Sequence, residues 1–459
     1  MSQVRLIRAL GRLVRRAVDV REHESAALVA SCAYFFFVLS AYYVIRPVRD
    51  EMGVAGGVEH LAWLFTGTLV GMLLLHPVFT ALVARFPRRR FVPLIYRFFI
   101  LNLVAFFVTF RAADADQAVW VGRVFFIWTS VFNLFVVSVF WSFMTDLYRP
   151  AQGQRLFGLI AVGGTLGAIL GSTITSALVS VLGSVSLLLV SALLLEIAAR
   201  AARALDRQEA SLARDARPEE AAAVAGERTA VIGGGAFDGI RRVARSPYLL
   251  GIAALMLLFT IASTFLYFQQ AAVVARVFEN NPHARTRLFA NIDLAVNALT
   301  LVTQVFLTGR MLRWFGVAVS LAFLPLMSLV GFGVLASAPI LAVIVVFQVL
   351  RRAGNFAIQR PAREMLYTVL PRTDKYKAKN FNDTFVYRVG DQLGAWSYTA
   401  IAWVGLGLSG LALTMVPLSA VWLLLALWLG ARYRRFITTA RPPVSVTVAG
   451  KSGPAASLR

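Results

Sequence analysis

The stretch AALVASCAYFFFVLSAYYVI, residues 26–45, runs straight into RPVRDE, residues 46–51, and this junction decides the fold. Some twenty residues that dissolve in lipid are what a helix needs to cross a hydrocarbon core ~30 Å thick. No turn signal separates that run from two arginines and two acids. Arg46, Arg49 and Asp50 stand at i, i+3 and i+4, so a helix that continues past Pro47 places them on one face, within reach of one another. They are either side chains that snorkel to water at the membrane exit, or a charged rim or gate at the mouth of a solute pathway.

Working outward, the whole chain shares this character. Of its 459 residues 58% are hydrophobic, and the mean hydropathy is +0.70. The apolar residues come in long runs rather than amphipathic stripes, so the chain is a polytopic membrane protein and not a soluble one. Its net charge of +23 would suit a nucleic-acid binder if it covered one surface. The basic residues instead lie between the apolar runs, the pattern of topology signalling, so no nucleic-acid partner is expected. Cys32 is the single cysteine, which excludes a disulfide framework. Met1 to Arg21 carries six arginines before a run long enough to span, and reads as a cytoplasmic arm before a retained first helix.

Five more apolar runs precede residue 200, near 59–84, 91–110, 118–145, 157–182 and 184–199. Six follow residue 246, near 247–276, 287–308, 316–335, 339–362, 380–405 and 409–430. The expected fold is an all-α polytopic membrane protein of twelve transmembrane helices in two six-helix bundles, residues 26–199 and 247–430. A cytoplasmic linker, 200–246, rich in Ala, Arg, Asp and Glu, joins the bundles, with an N-terminal arm, 1–25, and a flexible tail, 431–459, at the ends. Lys and Arg crowd the arm, the segment 85–90, the linker, Arg310 to Arg313, Arg363 to Lys379 and the tail. They are sparse in 47–58, 111–117 and 279–285, which sets both termini in the cytoplasm of an inner-membrane protein.

The halves echo each other. FTALVARFP (79–87) resembles FLTGRMLRW (306–314), and GTLGA (164–168) meets DQLGA (391–395), at an offset of about 227 residues. Repeated bundles of this kind place a substrate site at the bilayer midplane between them.

A charge in mid-span costs roughly 2.5–3.5 kcal/mol on insertion scales, so each marks a wet interior. The tenth span, VLRRAGNFAIQRP (349–361), carries Arg351, Arg352 and Asn355, and the fourth carries Arg123 and Asn133. Arg351 or Arg352 lines a cavity, or pairs structurally with a buried acid. In the eleventh span Asp383, Tyr387, Arg388 and Asp391 recur at helical spacing, and Gly390 with Gly394 makes a face that admits a close neighbour. There Arg388 and Asp391 also suit a self-neutralised pair. Gln269 and Gln270 late in the seventh span, and Asn291, Asp293 and Asn297 at the start of the eighth, read as weaker candidates at outer surfaces. Chemistry beyond transport finds no support. His23, His60, His76 and His283 lie on separate segments without metal-ligand spacing, and the glycines of 153–171 lack a preceding strand and a Lys-Ser/Thr, so they read as helix packing. No enzyme, metal or cofactor is expected.

Three stretches resemble the bacterial and plastid ATP:ADP antiporters, nucleotide translocases with a major-facilitator-like fold. YVIRPVRD (43–50) resembles that family's Leu-Arg-x-x-Lys-Asp signature, with Arg49 in place of Lys. QRPAREM (359–365) resembles its Phe-Asp-Pro-x-Lys-Glu-Met segment, and KAKNFNDTFVYRVG (377–390) its Lys-Gly-Lys…Asp…Arg-x-Gly run. The chain departs where a functional lysine of the family aligns with Asp391 and an acid with Asn133. The resemblance implies the fold and a nucleotide-like anion as cargo, while Asp391 inverts a charge that nucleotide binding would use.

The expectation is a secondary transporter that moves an organic or nucleotide-like anion by alternating access, working as a monomer in the lipid bilayer. Its site residues are Arg46, Arg49, Asp50, Arg123, Asn133, Gln269, Arg351, Arg352, Asn355, Asp383, Arg388 and Asp391. Two alternatives stay open: a proton-coupled exporter using Asp391 or Asp50, and a scaffold or sensor on a transporter-like body. Arg49 and Asp50 are expected to work with Arg388 and Asp391 across the two halves.

Overall fold

The computed structural model describes residues 21, 24–85, 88–148, 150–206, 238–279, 281–371, 378–379 and 381–440. The N-terminal arm up to residue 20, the linker between 207 and 237 and the tail beyond 440 fall outside the described residues. Every regular element described is helical. The first half comprises α1 (Ser25–Ala55), α2 (Leu61–Arg85), α3 (Arg88–Ala112), α4 (Ala115–Leu147), α5 (Pro150–Leu182) and α6 (Leu187–Asp206). A short helix, α7 (Asp238–Arg245), leads into α8 (Pro247–Val277), α9 (Pro282–Thr303), α10 (Gly309–Ser337), α11 (Leu341–Gly354), α12 (Arg360–Leu366), α13 (Tyr387–Trp403) and α14 (Leu408–Ala440).

Among the described residues nine segments are long and apolar enough to cross a membrane, one of them the 56-residue Pro282–Ser337. That segment is two crossings, because Gly316 at φ 73° turns the chain inside it. A side chain rarely tolerates this backbone, and glycine adopts it without strain. α6 and α13 stand where the sixth and eleventh crossings are expected but miss that criterion: α6 carries arginines in its second half, and α13 has 17 residues. Local signals start several helices. Asp114 and Gln117 form a reciprocal capping box before α4, and Ser246-Pro247 and Asn281-Pro282 supply a side-chain cap followed by proline at the first turn.

The first helix departs from expectation. It does not end at Ile45; it stays helical through Pro47 to Ala55, so residues 47–55 are helix and not an outer loop. Proline removes one backbone bond there, and the packing of this segment, with Val48, Asp50, Glu51 and Val54 all buried, outweighs the loss.

Glycines set the close packing within each half. Gly163, Gly167 and Gly171 on α5 face the backbone of Cys32, Phe36 and Ser40 on α1, and a methyl group at Gly167 would overlap the Phe36 carbonyl. Ser40 Oγ donates to the Gly167 carbonyl at 3.0 Å, and Thr175 Oγ1 to the Val44 carbonyl at 2.9 Å, so polar bonds follow the small-residue seam. In the second half Gly390 and Gly394 on α13 abut Thr260, Ile261 and Thr264 on α8. Gly163 and Gly390 are 227 residues apart, as are Gly167 and Gly394. The repeat seen in the sequence is therefore the same seam built twice, fifth span on first and eleventh on seventh. At the far end of α1 the buried Glu24 accepts hydrogen bonds from Gln152 and Arg155 at 3.0 and 2.9 Å. Burial opposes its charge, but those bonds and one from the Arg21 backbone prevail and hold the carboxyl below its ordinary value.

Candidate functional site: a charged cavity between the halves

The two halves meet tightly at one end. Glu51 on α1 pairs with Arg285 on α9 at 2.8 Å with both side chains buried, and Arg285 also donates to the carbonyls of Phe278 and Glu279. Ser176 on α5 donates to Asn291 at 2.6 Å, Ser184 bonds Thr286 at 3.2 Å, and Thr66 on α2 donates to Gln392 on α13 at 2.9 Å. Val54, Leu61, Leu64 and Phe126 from the first half belong to the hydrophobic core of the second. Glu51, Val54 and Arg285 lie within the segments 47–58 and 279–285, which places this contact at that end of the molecule. Away from that end the halves part around a cavity of about 610 Å³, lined from Tyr42 and Arg46 in the interior down to Arg360, Arg363 and Lys379.

Nine of the twelve sequence-derived site residues line this cavity: Arg46, Arg49, Asn133, Arg351, Arg352, Asn355, Asp383, Arg388 and Asp391. Three stand elsewhere. Asp50 is buried beside the cavity, accepting from Arg49 Nη1 and from the Tyr267 hydroxyl, each at 3.0 Å. Arg123 lies at the closed end, where it donates to the Gly56 carbonyl at 2.9 Å and stacks on Trp120 at 4.6 Å. Gln269 is 1% exposed and donates to the Leu408 carbonyl, which makes it a packing contact of α8.

Each charge on the lining has a definite environment. Arg49 is neutralised by Asp50, and its guanidinium rests 3.9 Å from the Phe126 ring centre. Arg388 reaches Asp391 at 3.3 Å, three residues on along one helix, so the self-neutralised pair read from the sequence does form. No bond joins that pair to Arg49 and Asp50 among the described contacts, although Arg49, Arg388 and Asp391 line the same cavity and Asp50 stands beside it.

Asp293 is the residue the sequence reading placed wrongly. Expected at an outer surface, it is 1% exposed and sits between Arg46 at 3.0 Å and Arg352 at 2.7 Å. Arg46 belongs to α1 and Arg352 to α11, so one carboxylate ties a cation of each half. Asn297 donates to the Asp293 carbonyl and lies one turn further on. The available signal was an acid 11 residues into a span that starts at Pro282, a depth at which an unpaired charge is expensive.

Arg351 differs from all of these. It is 2% exposed and donates to Ser328 Oγ at 3.2 Å, Ser263 Oγ at 2.9 Å and the Phe259 carbonyl at 3.1 Å. None of those acceptors is charged. The three bonds leave two of the five guanidinium N–H groups unused. Asn355, next to it in space and sequence, opens a five-residue π-helical turn, Asn355–Gln359, and Asp383 lies in another, Asn382–Val386. Such turns widen a helix locally and are common at functional sites.

In all, eight basic side chains and three carboxylates line the cavity. With the adjacent Asp50 and Asp293 counted as well, positive charge still predominates by three.

Comparison with known proteins agrees with this architecture. None of the curated proteins matches the chain. Among solved structures, an auto-inhibited peptide transporter of the POT family superimposes with a TM-score of 0.58 at 15% identity, over 89% of this chain and 97% of that one. A bacterial homolog of the human lysosomal transporter Spinster gives 0.54 at 14%, over 92% and 100%. The xylose transporter XylE from E. coli gives 0.56 at 11%, over 89% and 95%. At such identities these likenesses speak to the fold. A sequence model described as Major Facilitator Superfamily matches residues 10–370, well over half of the chain. The chain thus belongs to the Major Facilitator Superfamily, as a multi-pass membrane protein with the fold of a secondary transporter.

Proposed function

We propose that this transporter carries an organic anion, of the nucleotide-like or organic-phosphate kind, by exchange or symport across the inner membrane. The observation that carries this reading is Arg351. A guanidinium buried without a carboxylate is costly in a low-dielectric interior, and this one is held by neutral oxygens at the wall of a cavity already rich in arginine. A carboxylate or phosphate from the cargo supplies the missing charge and takes the two remaining N–H donors. Alternating access follows from the geometry: the halves are bonded at one end and separated at the other, and rocking about the cavity exchanges the two conditions. With both termini cytoplasmic, the state described here opens to the cytoplasm. The likeness of residues 43–50, 359–365 and 377–390 to nucleotide translocases supports a nucleotide-like cargo, and Asp391 in place of their lysine supports a different anion from theirs.

Flux into proteoliposomes, measured with labelled nucleotides, sugar phosphates and carboxylates, tests the reading. Arg351→Gln is expected to raise the half-saturating concentration of the transported anion roughly tenfold or more, through loss of a charge-assisted contact. An absence of anion-dependent flux above empty vesicles, or an Arg351→Gln protein that saturates like the wild type, would count against it.

A second reading has its own observation. Asp391 faces the cavity with 14% of its side chain exposed and a 3.3 Å contact to Arg388, which suits a carboxylate that gains and loses a proton during transport. Asp391→Asn separates the two. Proton coupling predicts flux that no longer responds to a pH gradient, whereas a structural pair predicts a poorly folded protein.

A further inference from the structure

Away from the central cavity, α3 and α6 pack side by side, and each carries a continuous stripe over its outer surface. On α3 the stripe runs Leu94, Arg97, Phe98 and Leu101; on α6 it runs Leu189, Leu193, Glu196, Arg200 and Arg203. Steps of three and four residues keep each set on one helix face. The apolar members are 39–67% exposed, which is the surface acyl chains cover in a bilayer.

Towards the end of α6 the stripe turns basic, and Arg97, one turn beyond Leu94 on α3, joins it from the neighbouring helix. Arg97, Arg200 and Arg203 surround a cleft of about 400 Å³, with Glu196 and Ala204 completing its wall. Glu196 accepts from Arg200 Nε at 3.0 Å and stands 3.9 Å from Arg97 Nε, so the single carboxylate pairs with two of the three guanidiniums and leaves Arg203 outside both ion pairs. The side chains of Arg97 and Arg200 remain 53% and 74% exposed, and Arg203 is exposed in the last turn of α6.

We propose that this cleft binds the phosphate of an anionic phospholipid, whose acyl chains lie along Phe98, Leu101, Leu193 and Leu189. The cleft has the charge for it, since guanidinium pairs with phosphate bidentately. It also has the depth, because Arg200 and Arg203 end the lipid-facing apolar stripe of α6, and arginines so placed sit at the headgroup level. A water-soluble anion has no use for the apolar stripe that continues directly from the cleft, and that continuity favours lipid over free phosphate. This site is independent of the cargo carried through the central cavity.

Native mass spectrometry of the detergent-purified full chain, titrated with phosphatidylglycerol or with phosphatidylcholine of the same acyl chains, tests the proposal. The wild type should retain phosphatidylglycerol with roughly tenfold preference. The triple variant Arg97→Gln, Arg200→Gln, Arg203→Gln should lose that preference, and Arg434→Gln on α14, exposed and remote from the cleft, should keep it. Should the triple variant not fold, Arg203→Gln alone, which disturbs neither ion pair of Glu196, should reduce retention several-fold. Equal retention of the two lipids by the wild type, unchanged preference in the variants, or equally tight binding of inorganic phosphate would overturn the assignment. The first two outcomes would leave arginines that merely snorkel, and the third a headgroup-independent anion site.

Discussion

Asp293→Ala is expected to destabilise the purified protein by roughly 3–5 kcal/mol, or to prevent its accumulation in the membrane, because it strips the counter-charge from two buried cations at once. Arg46 and Arg352 approach this one carboxylate to 3.0 and 2.7 Å, with 18% and 15% of their side chains exposed. Without it they repel each other in a poorly screened interior, and the halves lose one of their ionic ties. Removing a cation as well should recover part of the loss. The double variant Asp293→Ala, Arg46→Ala leaves one unpaired guanidinium rather than two, so its melting temperature should lie above that of Asp293→Ala. Thermal melting of the three proteins in detergent checks this. Equal melting of Asp293→Ala and the wild type would show that the carboxylate contributes nothing there, and strict additivity in the double variant would show that Arg46 does not depend on it. Arg46 is the partner drawn from the opposite half, so the alternating-access mode proposed above predicts that the same contact strains or breaks as the halves rock. A stabilising contact and a transport step then share one residue, and the conservative Asp293→Glu should slow transport more than it lowers stability.

The second large effect concerns backbone contact rather than charge. Gly167→Val is expected to abolish assembly of the first half. A Cβ at this position overlaps the Phe36 carbonyl of α1, and backbone cannot step aside as a flexible side chain could. Overpacking typically costs about 1–3 kcal/mol where side chains can shift, and here the whole of α5 would have to move, breaking the Ser40 and Thr175 bonds to the seam. Gly158→Val on the same helix is the control, since no atom lies within 4 Å of a Cβ built there. Yield and monodispersity by size-exclusion chromatography compare the two. Gly394→Val should repeat the defect in the second half, where Ile261 and Thr264 occupy the equivalent place. A well-behaved Gly167→Val protein would mean that the seam is looser than its geometry indicates.

Much of the architecture was legible in the sequence, because hydropathy is a local property. A helix that crosses lipid must satisfy its own backbone and coat itself with apolar side chains, and both demands are written in consecutive residues. That is why the all-helical membrane fold and the repeat at an offset of about 227 residues could be read from runs and spacings. The lengths of helices were less legible. α1 continues ten residues beyond Ile45 because neighbouring helices shelter Asp50 and Glu51, and hydropathy counts those acids as exits from the membrane.

The candidate site was legible as a set of residue types and illegible as a set of pairs. Charges in mid-span announced themselves by their cost, and Arg46, Arg49, Arg351, Arg352, Arg388 and Asp391 do line one cavity. Which charge meets which depends on helices hundreds of residues apart, and no local pattern encodes that. Arg46 finds Asp293, Glu51 finds Arg285, and Arg123 turns to a backbone carbonyl at the closed end. Asp293 looked like a surface acid because its own helix offers it no partner; both its cations arrive from other helices. By itself the sequence determined that this is a multi-span helical transporter with charge in its interior, since membrane insertion reads each segment alone. The tertiary structure decided which of those charges are neutralised and which, like Arg351, meet only neutral acceptors, since pairing is a property of the distances between helices.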